Sequence, residues 1–230
     1  MVSNEQTIGG LKKKEPLTIF ISGQSGCGKK TITEKYLQHI EKTEPNRIVV
    51  VSETGEHFRN MTKTAPPWLI EDIKATQIAG KFQPHHHAVR LTVNALYDLI
   101  QTNDEHIIID GSPRSEKEAI AIFSYLEDVY GRRPIVIYPE TSDNTCRKRM
   151  LGRNDELIAA GDQPRMDAAT LGSINKKLAE FHAQTLPAIQ SLPAEYLITV
   201  NGELPPDDVF AEVLQKLALH ETRLKELLVK

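Results

Sequence analysis

The residues with the clearest chemistry stand together near the amino end: Gly23-Gln24-Ser25-Gly26-Cys27-Gly28-Lys29-Lys30-Thr31. Glycine has no Cβ, so successive backbone N–H groups can turn inward around a phosphate without obstruction. A helical pattern follows at once and adds the positive end of its dipole to the same spot. Lys29 stands where an ammonium reaches the β- and γ-phosphates of a nucleoside triphosphate. The bland alternative is a glycine-rich turn that binds nothing. An apolar strand before, a helix after and a lysine in register argue against it. The candidate contacts to the triphosphate are Ser25, Gly26, Cys27, Gly28, Lys29, Lys30 and Thr31. One position departs from the strict pattern: Lys30 follows Lys29 where a Ser or Thr is usual, and Thr31 comes one place late. The customary hydroxyl for Mg2+ is therefore displaced.

A cradle of this kind needs a strand on one side and a helix on the other, and the rest of the chain repeats that alternation. Leu17–Ser22, Arg47–Ser52, His106–Asp110, Pro134–Tyr138 and Tyr196–Val200 are short β-branched apolar runs. They are continuous rather than alternating, which suits strands of a parallel sheet buried on both faces. Between them, Lys30–Glu41, Leu91–Gln101, Lys117–Val129 and Ile174–Ser191 carry apolar residues at helical spacing. Strand–helix alternation implies a doubly wound α/β sheet with right-handed crossovers and ligands beyond the carboxyl ends of the strands. Two connections, 52–83 and 149–165, are too long for simple loops and are expected to be functional. A last helix is expected after Pro205 and Pro206, with Val209, Val213, Leu217, Leu224 and Leu228 on one stripe that docks on the sheet.

Size and charge narrow the possibilities. The 230 residues suffice for one α/β domain with small inserted lobes. A formal net charge of −3 offers no broad surface for a polyanion such as nucleic acid, so any phosphate site is built locally. Cys27 and Cys146 are too few for a disulfide framework or a four-cysteine zinc site and point to a reducing, cytoplasmic compartment. The amino-terminal stretch is polar, then basic at Lys12, Lys13 and Lys14, and reads as neither a signal peptide nor a membrane anchor.

The glycine loop, Gly-x-x-Gly-x-Gly-Lys-x-Thr, resembles that of adenylate kinases and related nucleoside monophosphate kinases, and further segments follow in the same order. Ser52-Glu53-Thr54-Gly55-Glu56-His57-Phe58-Arg59 resembles the opening of that family's monophosphate-binding lobe, and Ala79-Gly80-Lys81-Phe82 its closing turn. Asp110-Gly111-Ser112-Pro113-Arg114 resembles the family's Asp-Gly-Phe-Pro-Arg. Arg149 to Arg153 and Arg165 to Asp167 resemble the two ends of a mobile lid, here in its short, zinc-free form. Lys177, Leu178, Phe181, Thr185 and Pro187 fall where the family has Arg, Leu, Tyr, Thr and Pro. The resemblance implies a P-loop NTPase fold, three-layer α/β/α with a five-stranded parallel sheet. It divides the chain into a core (16–52, 84–148 and 166–220), a monophosphate-binding insert (53–83), a short lid (149–165) and a helical extension (218–230). The implied reaction moves the γ-phosphoryl group of ATP onto a nucleoside monophosphate, with AMP the leading acceptor and GMP, CMP or UMP as alternatives.

Roles follow from the same resemblance. Lys29, Arg114, Arg153, Arg165 and Lys177 would act on the transferring group, and Arg149 would stack on the donor base. Thr54, Arg59, Lys81, Gln83, Gly111, Arg114 and Glu118 would hold the monophosphate, and Asp110 would hold Mg2+ through water. Arginine suits this work because its planar fork binds phosphate in bidentate fashion and keeps its proton. Partners are expected to be ATP and the monophosphate alone, with no nucleic acid or membrane, for a monomer. Gly152 and Gly161 are expected either as flexible points of the lid or as helix ends.

Three positions depart from the family. Glu118 stands where adenylate kinases present a Gln to the acceptor adenine, and an ionised carboxylate only accepts hydrogen bonds. It would suit guanine better than adenine, unless it turns to solvent. Ser112 replaces a Phe in the same wall, and Lys177 replaces an Arg. A sugar or acid kinase, or a nucleotide sensor without turnover, stays open on these grounds. His85, His86 and His87 point in different directions on a helix, so they are expected to start a helix rather than share a metal. Trp68 is expected to pack against its own lobe.

Overall fold

In a computed structural model of the chain, each of the five apolar runs forms a strand: β1 (Thr18–Ile21), β2 (Val49–Glu53), β3 (His106–Asp110), β4 (Pro134–Glu140) and β5 (Leu197–Asn201). The structure describes residues 15–78, 83–165, 168 and 170–228; the side chains of residues 59, 62, 64, 72, 77, 78, 221 and 223–228 are outside that description. All strand pairs are parallel, in the order β2-β3-β1-β4-β5. Ile19 of β1 lies level with Ile108 on one side and Ile135 on the other.

Nine α-helices are present among the described residues: α1 (Lys29–Thr43), α2 (Thr54–Thr64), α3 (Pro67–Ile78), α4 (His85–Leu99), α5 (Glu116–Tyr130), α6 (Asp143–Ala159), α7 (Leu171–Glu180), α8 (Leu186–Gln190) and α9 (Pro206–Leu228). Ile19, Ile21, Ile108, Ile135 and Ile137 face α1 and α9 through Ile32, Tyr36, Ile40, Val209, Val213 and Leu217. Their strand neighbours Phe20, Ile107, Ile109 and Val136 face α4 and α5 through Leu96, Ile122, Phe123 and Leu126. Both faces of every inner strand are thus covered by helices, which is why the runs are apolar without alternation. The inner half of α9 docks on the sheet as expected.

The predicted helix over 174–191 is broken into α7, a π-helical turn Phe181–Thr185, and α8. Pro187 supplies the physical reason. It has no N–H to return to a carbonyl one turn back and its ring crowds that carbonyl. The ladder widens just before it, with Leu186 N–H donating to Phe181 O. Between β2 and α4, α2 and α3 form a lobe with its own small core of Phe58, Ile73 and Ala88. Trp68 does not join that core: it is 64% exposed, and α3 packs inward through Ile73 and Leu69 instead. Gly152 lies inside α6 rather than at a hinge. Gly161, at φ +80°, ends the same helix, with Asp162 N–H returning to Leu157 O at 2.8 Å.

Candidate active site

The glycine loop runs from the carboxyl end of β1 into α1, and its geometry demands its glycines. Gly26 and Gly28 have φ of +88° and +99°. A Cβ at Gly26 would also sit 2.5 Å from the carbonyl oxygen of Cys146. Gly28 caps α1 with no side-chain bond and no acidic residue follows in the first turn, so the helix presents its N–H groups and positive dipole end to the loop. Lys29 Nζ donates to the carbonyls of Gly23 at 2.9 Å and Gln24 at 3.0 Å, which fixes the ammonium across the loop. Gln24 is buried and its amide donates to Thr141 O, tying the loop to the end of β4. The Cys27 and Cys146 thiols are buried and free; burial pushes both up, Cys146 to about 12, which disfavours the thiolate at either position. Lys30 carries a side chain that is 71% exposed and leans toward Glu34, 4.0 Å away.

Beside the loop, β3 ends in Asp110 and turns at Gly111, whose N–H donates to Ile21 O at 3.0 Å. Ser22 Oγ donates to Pro113 O at 2.6 Å and stitches the same turn to β1. Gly111 has φ +85°, and a Cβ there would meet a terminal nitrogen of Arg114 at 3.2 Å. Burial pushes the Asp110 carboxyl up, against the opposing pull of Lys29, Arg114, Lys30 and Arg165. Geometry places two of these cations near the strand end: Lys29 lies across the loop that follows Ile21, the β1 partner of Asp110, and Arg114 Nε donates to Gly111 O at 2.7 Å. Among the described residues no group of three His, Cys, Asp or Glu gathers to hold a metal ion, the His85–His87 run at the start of α4 included.

A cavity of about 510 Å³ opens next to this point, between the α2–α3 lobe and α5. Thr54, Gln83, Arg114 and Glu118 line it, four of the residues expected around a monophosphate. Thr54 is 1% exposed and its hydroxyl finds no partner among the described residues, so a ligand in the cavity would satisfy it. Glu118 does not turn to solvent. It is 1% exposed and its carboxylate accepts from Ser112 Oγ at 2.9 Å and from Arg114 N–H at 3.0 Å. Burial pushes this carboxyl up, with Arg114, Ser112 and His85 pulling the other way. His85 and Gln184 also line the cavity and were not expected there; Gln184 is brought round by the π-helical turn, which helical spacing in the sequence does not reveal. Lys81 and the side chain of Arg59 lie outside the described residues, as do Met166 and Asp167.

On the other flank, α6 and α7 pack on the loop through Cys27, Cys146, Met150, Ala168, Ile174 and Leu178. Arg149 and Arg153 ride on α6, Lys177 on α7, and Arg165 on the turn between them. Asn154 holds that turn, accepting from Arg165 N–H at 3.3 Å and donating to Ala168 O at 2.6 Å. The first turn of α6 is anchored by Glu203, which accepts from Ser142 N–H at 2.6 Å and Thr145 Oγ1 at 2.7 Å. Those hydrogen bonds hold the Glu203 carboxyl down at about 2. Segment 149–165 is thus the outer part of an anchored helix followed by a short turn.

No protein-family model matches the chain. Among curated proteins it is similar to "Probable UMP-CMP kinase 2" of Arabidopsis thaliana, 27% identical over 223 residues that cover 93% of this chain and 74% of the relative. It is similar to "Adenylate kinase 2" of Nostoc sp., 22% identical over 204 residues, covering 87% of this chain and 98% of the relative. "Adenylate kinase" of Nitrobacter hamburgensis is 25% identical over 204 residues, 87% of this chain and 92% of the relative.

Proposed function

We propose that this chain is a nucleoside monophosphate kinase of the adenylate kinase kind, a reading its similarity to such enzymes over most of its length supports, and that it moves the γ-phosphoryl group of ATP onto AMP, giving two molecules of ADP. The phosphotransferase class follows from its relatives; AMP as acceptor and the residue roles are the reading advanced here. One observation carries it. Asp110 ends β3 level with Ile21, where the loop spanned by Lys29 begins, and Arg114 reaches from Gly111 to the cavity lined by Thr54, so two phosphate-bearing ligands would meet at this strand end.

Phosphoryl transfer asks the protein mainly for in-line positioning and for positive charge on crowded oxygens. In this reading the loop from Ser25 to Thr31 and the start of α1 hold the donor phosphates, with Lys29 on the β- and γ-groups. Arg149 stacks on the donor base. Thr54, Arg59, Lys81, Gln83 and Gly111 hold the monophosphate, and Arg114 grips its phosphate opposite the donor. Arg153, Arg165 and Lys177 approach from the α6–α7 side and help exclude water, the competing acceptor.

Mg2+ fits the same point. Asp110 offers a partly buried carboxyl whose ionised form calls for cations, and Mg2+ is commonly held by one or two carboxylates, waters and substrate phosphates rather than by a protein cage. Asp110 would hold the ion through water; when bound, it neutralises β- and γ-phosphate oxygens. We place the enzyme in the cytoplasm as a monomer acting on free nucleotides, a setting its two free thiols and its net charge of −3 support.

A second acceptor reading, UMP or CMP, is favoured by the relative named as a UMP-CMP kinase. The test is ADP formation from ATP and Mg2+ with AMP, GMP, CMP, UMP and dTMP offered one at a time. Fastest turnover with AMP is the expected result. A pyrimidine preference would move the acceptor to the second reading, and no turnover with any would overturn the proposal.

A further inference from the structure

The two departures beside the acceptor cavity, Ser112 and Glu118, are one arrangement. Their side chains meet, Ser112 Oγ donating to Glu118 Oε1 at 2.9 Å, and both residues are at most 1% exposed. The other carboxylate oxygen accepts Arg114 N–H at 3.0 Å. Ser115 caps α5 by accepting Glu118 N–H at 3.3 Å. In an ordinary capping box the acidic side chain would return to the N–H of the cap residue itself. Here it reaches one residue further back, to Arg114. From the opposite side, Thr185 Oγ1 in the π-helical turn donates to Arg114 O at 2.9 Å. The arginine's own Nε donates to Gly111 O at 2.7 Å. Both backbone polar groups of Arg114 and the root of its guanidinium are thereby fixed from three separate elements.

We propose that Glu118 and Thr185 are positioning residues for Arg114, setting where its guanidinium meets the acceptor phosphate, and that Glu118 does not read the acceptor base. This rests on the phosphate-gripping role given to Arg114 above. Turning Glu118 toward a base would strip partners from the buried Ser112 hydroxyl and Arg114 N–H, at about 1–3 kcal/mol for each group left unsatisfied. The pair also accounts for both departures at once. A Phe at position 112 has no hydroxyl to offer a carboxylate at 118, and a Gln at 118 needs none.

Steady-state kinetics with each of the five monophosphates tests this in wild type, Glu118→Ala, Glu118→Gln, Thr185→Val, Arg114→Ala and the Glu118→Ala/Arg114→Ala double variant. Misplacing a gripping group by about 1 Å can cost on the order of 10²-fold. Glu118→Ala is expected to lose kcat on that order and Thr185→Val about tenfold, alike for every acceptor and with the KM for ATP little changed. Glu118→Gln is expected to recover most of the loss and keep the order of acceptors. Its amide oxygen can still accept Arg114 N–H, and its amide nitrogen can donate to Ser112 Oγ. The double variant should be no slower than Arg114→Ala alone, since a positioning residue has nothing left to position. A Glu118→Gln protein whose acceptors change rank by about tenfold or more (a clear kcal/mol-scale difference) would show that Glu118 reads the base. Unchanged kcat in Thr185→Val, or losses that add fully in the double variant, would likewise overturn the inference. Should Glu118→Ala fail to fold, Glu118→Gln and Thr185→Val decide it. A wild type inactive with every monophosphate defeats the functional reading and this inference together, whereas an active wild type with the wrong variant pattern defeats only this one.

Discussion

At the amino ends of β2 and β3, Arg47 and Arg132 meet Glu44, Asp104 and Glu105; at the carboxyl ends of β1 and β3, Lys29 spans the glycine loop and Arg114 folds back on Gly111, next to Asp110. Both groups sit against the same sheet, but their balance differs. At the amino end three carboxylates face two guanidinium groups, and the bonds are dense. Arg47 reaches Asp104 at 2.6 Å and Glu44 at 3.2 Å, while Arg132 donates to Asn103 Oδ1 at 2.6 Å and Glu105 O at 2.7 Å. Charge buried this way is matched inside the protein. At the carboxyl end Lys29 donates to the carbonyls of Gly23 and Gln24, and Arg114 Nε to that of Gly111, neutral oxygens rather than carboxylates. One end locks strands together; the other, in the function proposed, takes phosphates.

The largest expected effect breaks the functional end alone. Arg114→Ala should lower turnover by about 10³–10⁵-fold, the range a well-placed arginine contributes to phosphoryl transfer. Its melting temperature should stay within a few degrees of wild type. Kinetics and thermal melting on the same preparation check both halves. A large drop in melting temperature would mean that the carboxyl end is also holding the fold.

The mirror experiment breaks the structural end. Glu105 is 2% exposed and accepts from Gln101 N–H, Thr102 N–H, Thr102 Oγ1 and Asp104 N–H. Glu105→Ala would orphan those donors and take from Arg132 its nearby carboxylate, at about 3–5 kcal/mol, while Arg132 keeps its bonds to Asn103 and to the carbonyl of residue 105. Denaturant unfolding measures this. Turnover per folded molecule should hold, because the substrate sites proposed above lie at the carboxyl ends of the strands.

Acid separates the ends with a smaller signal. Burial opposes ionisation of Glu105, but its hydrogen bonds outweigh that and hold the carboxyl at about 2, against 4.5 ordinarily. Its contribution is therefore complete above pH 4.5 and is lost as pH falls toward 2, on the order of 3 kcal/mol. His106 is held below 6.5, first by burial, with Glu44 opposing and Arg47 and Arg132 reinforcing it. The folded state thus resists its protonation, and stability begins to decline as pH falls through 6.5. Asp110 and Glu118 have the opposite sign, since burial raises both. Stability measured from pH 7 to 2 should fall in wild type, and less steeply below pH 4.5 in Glu105→Ala. Equal slopes would remove Glu105 as the source.

Much of this division was legible in residue types, and the rest was hidden for physical reasons. The five strands announce themselves because both faces are covered and no polar position interrupts the runs. The glycine loop is legible because positive φ and close approach leave few other choices at Gly26 and Gly28. The helix α6 was not, because it buries only Cys146, Met150 and Asn154, a narrow stripe with a polar member and little apolar period. Ser112 and Glu118 are visible as two departures, yet their bond depends on a turn that brings residues six apart into contact. The charged amino end gave no signal at all. Arg47, Asp104 and Arg132 look like ordinary surface charges until strand order brings their segments together.

The smallest prediction concerns a position where spacing misled. Trp68 follows Pro66 and Pro67 in an otherwise packable helix, and an indole there would be expected inside. The structure turns it outward, 64% exposed, because Leu69 and Ile73 already fill the contact with Phe58. Trp68→Ala should therefore change stability by less than about 0.5 kcal/mol, as surface substitutions usually do. Trp68 is also the chain's one tryptophan, so fluorescence reports on this residue alone. Native emission should resemble that of an indole in water and be quenched readily by iodide. A blue-shifted, protected indole would place Trp68 in the lobe's core and make the acceptor lobe a better-packed unit than the cluster of Phe58, Ile73 and Ala88 implies.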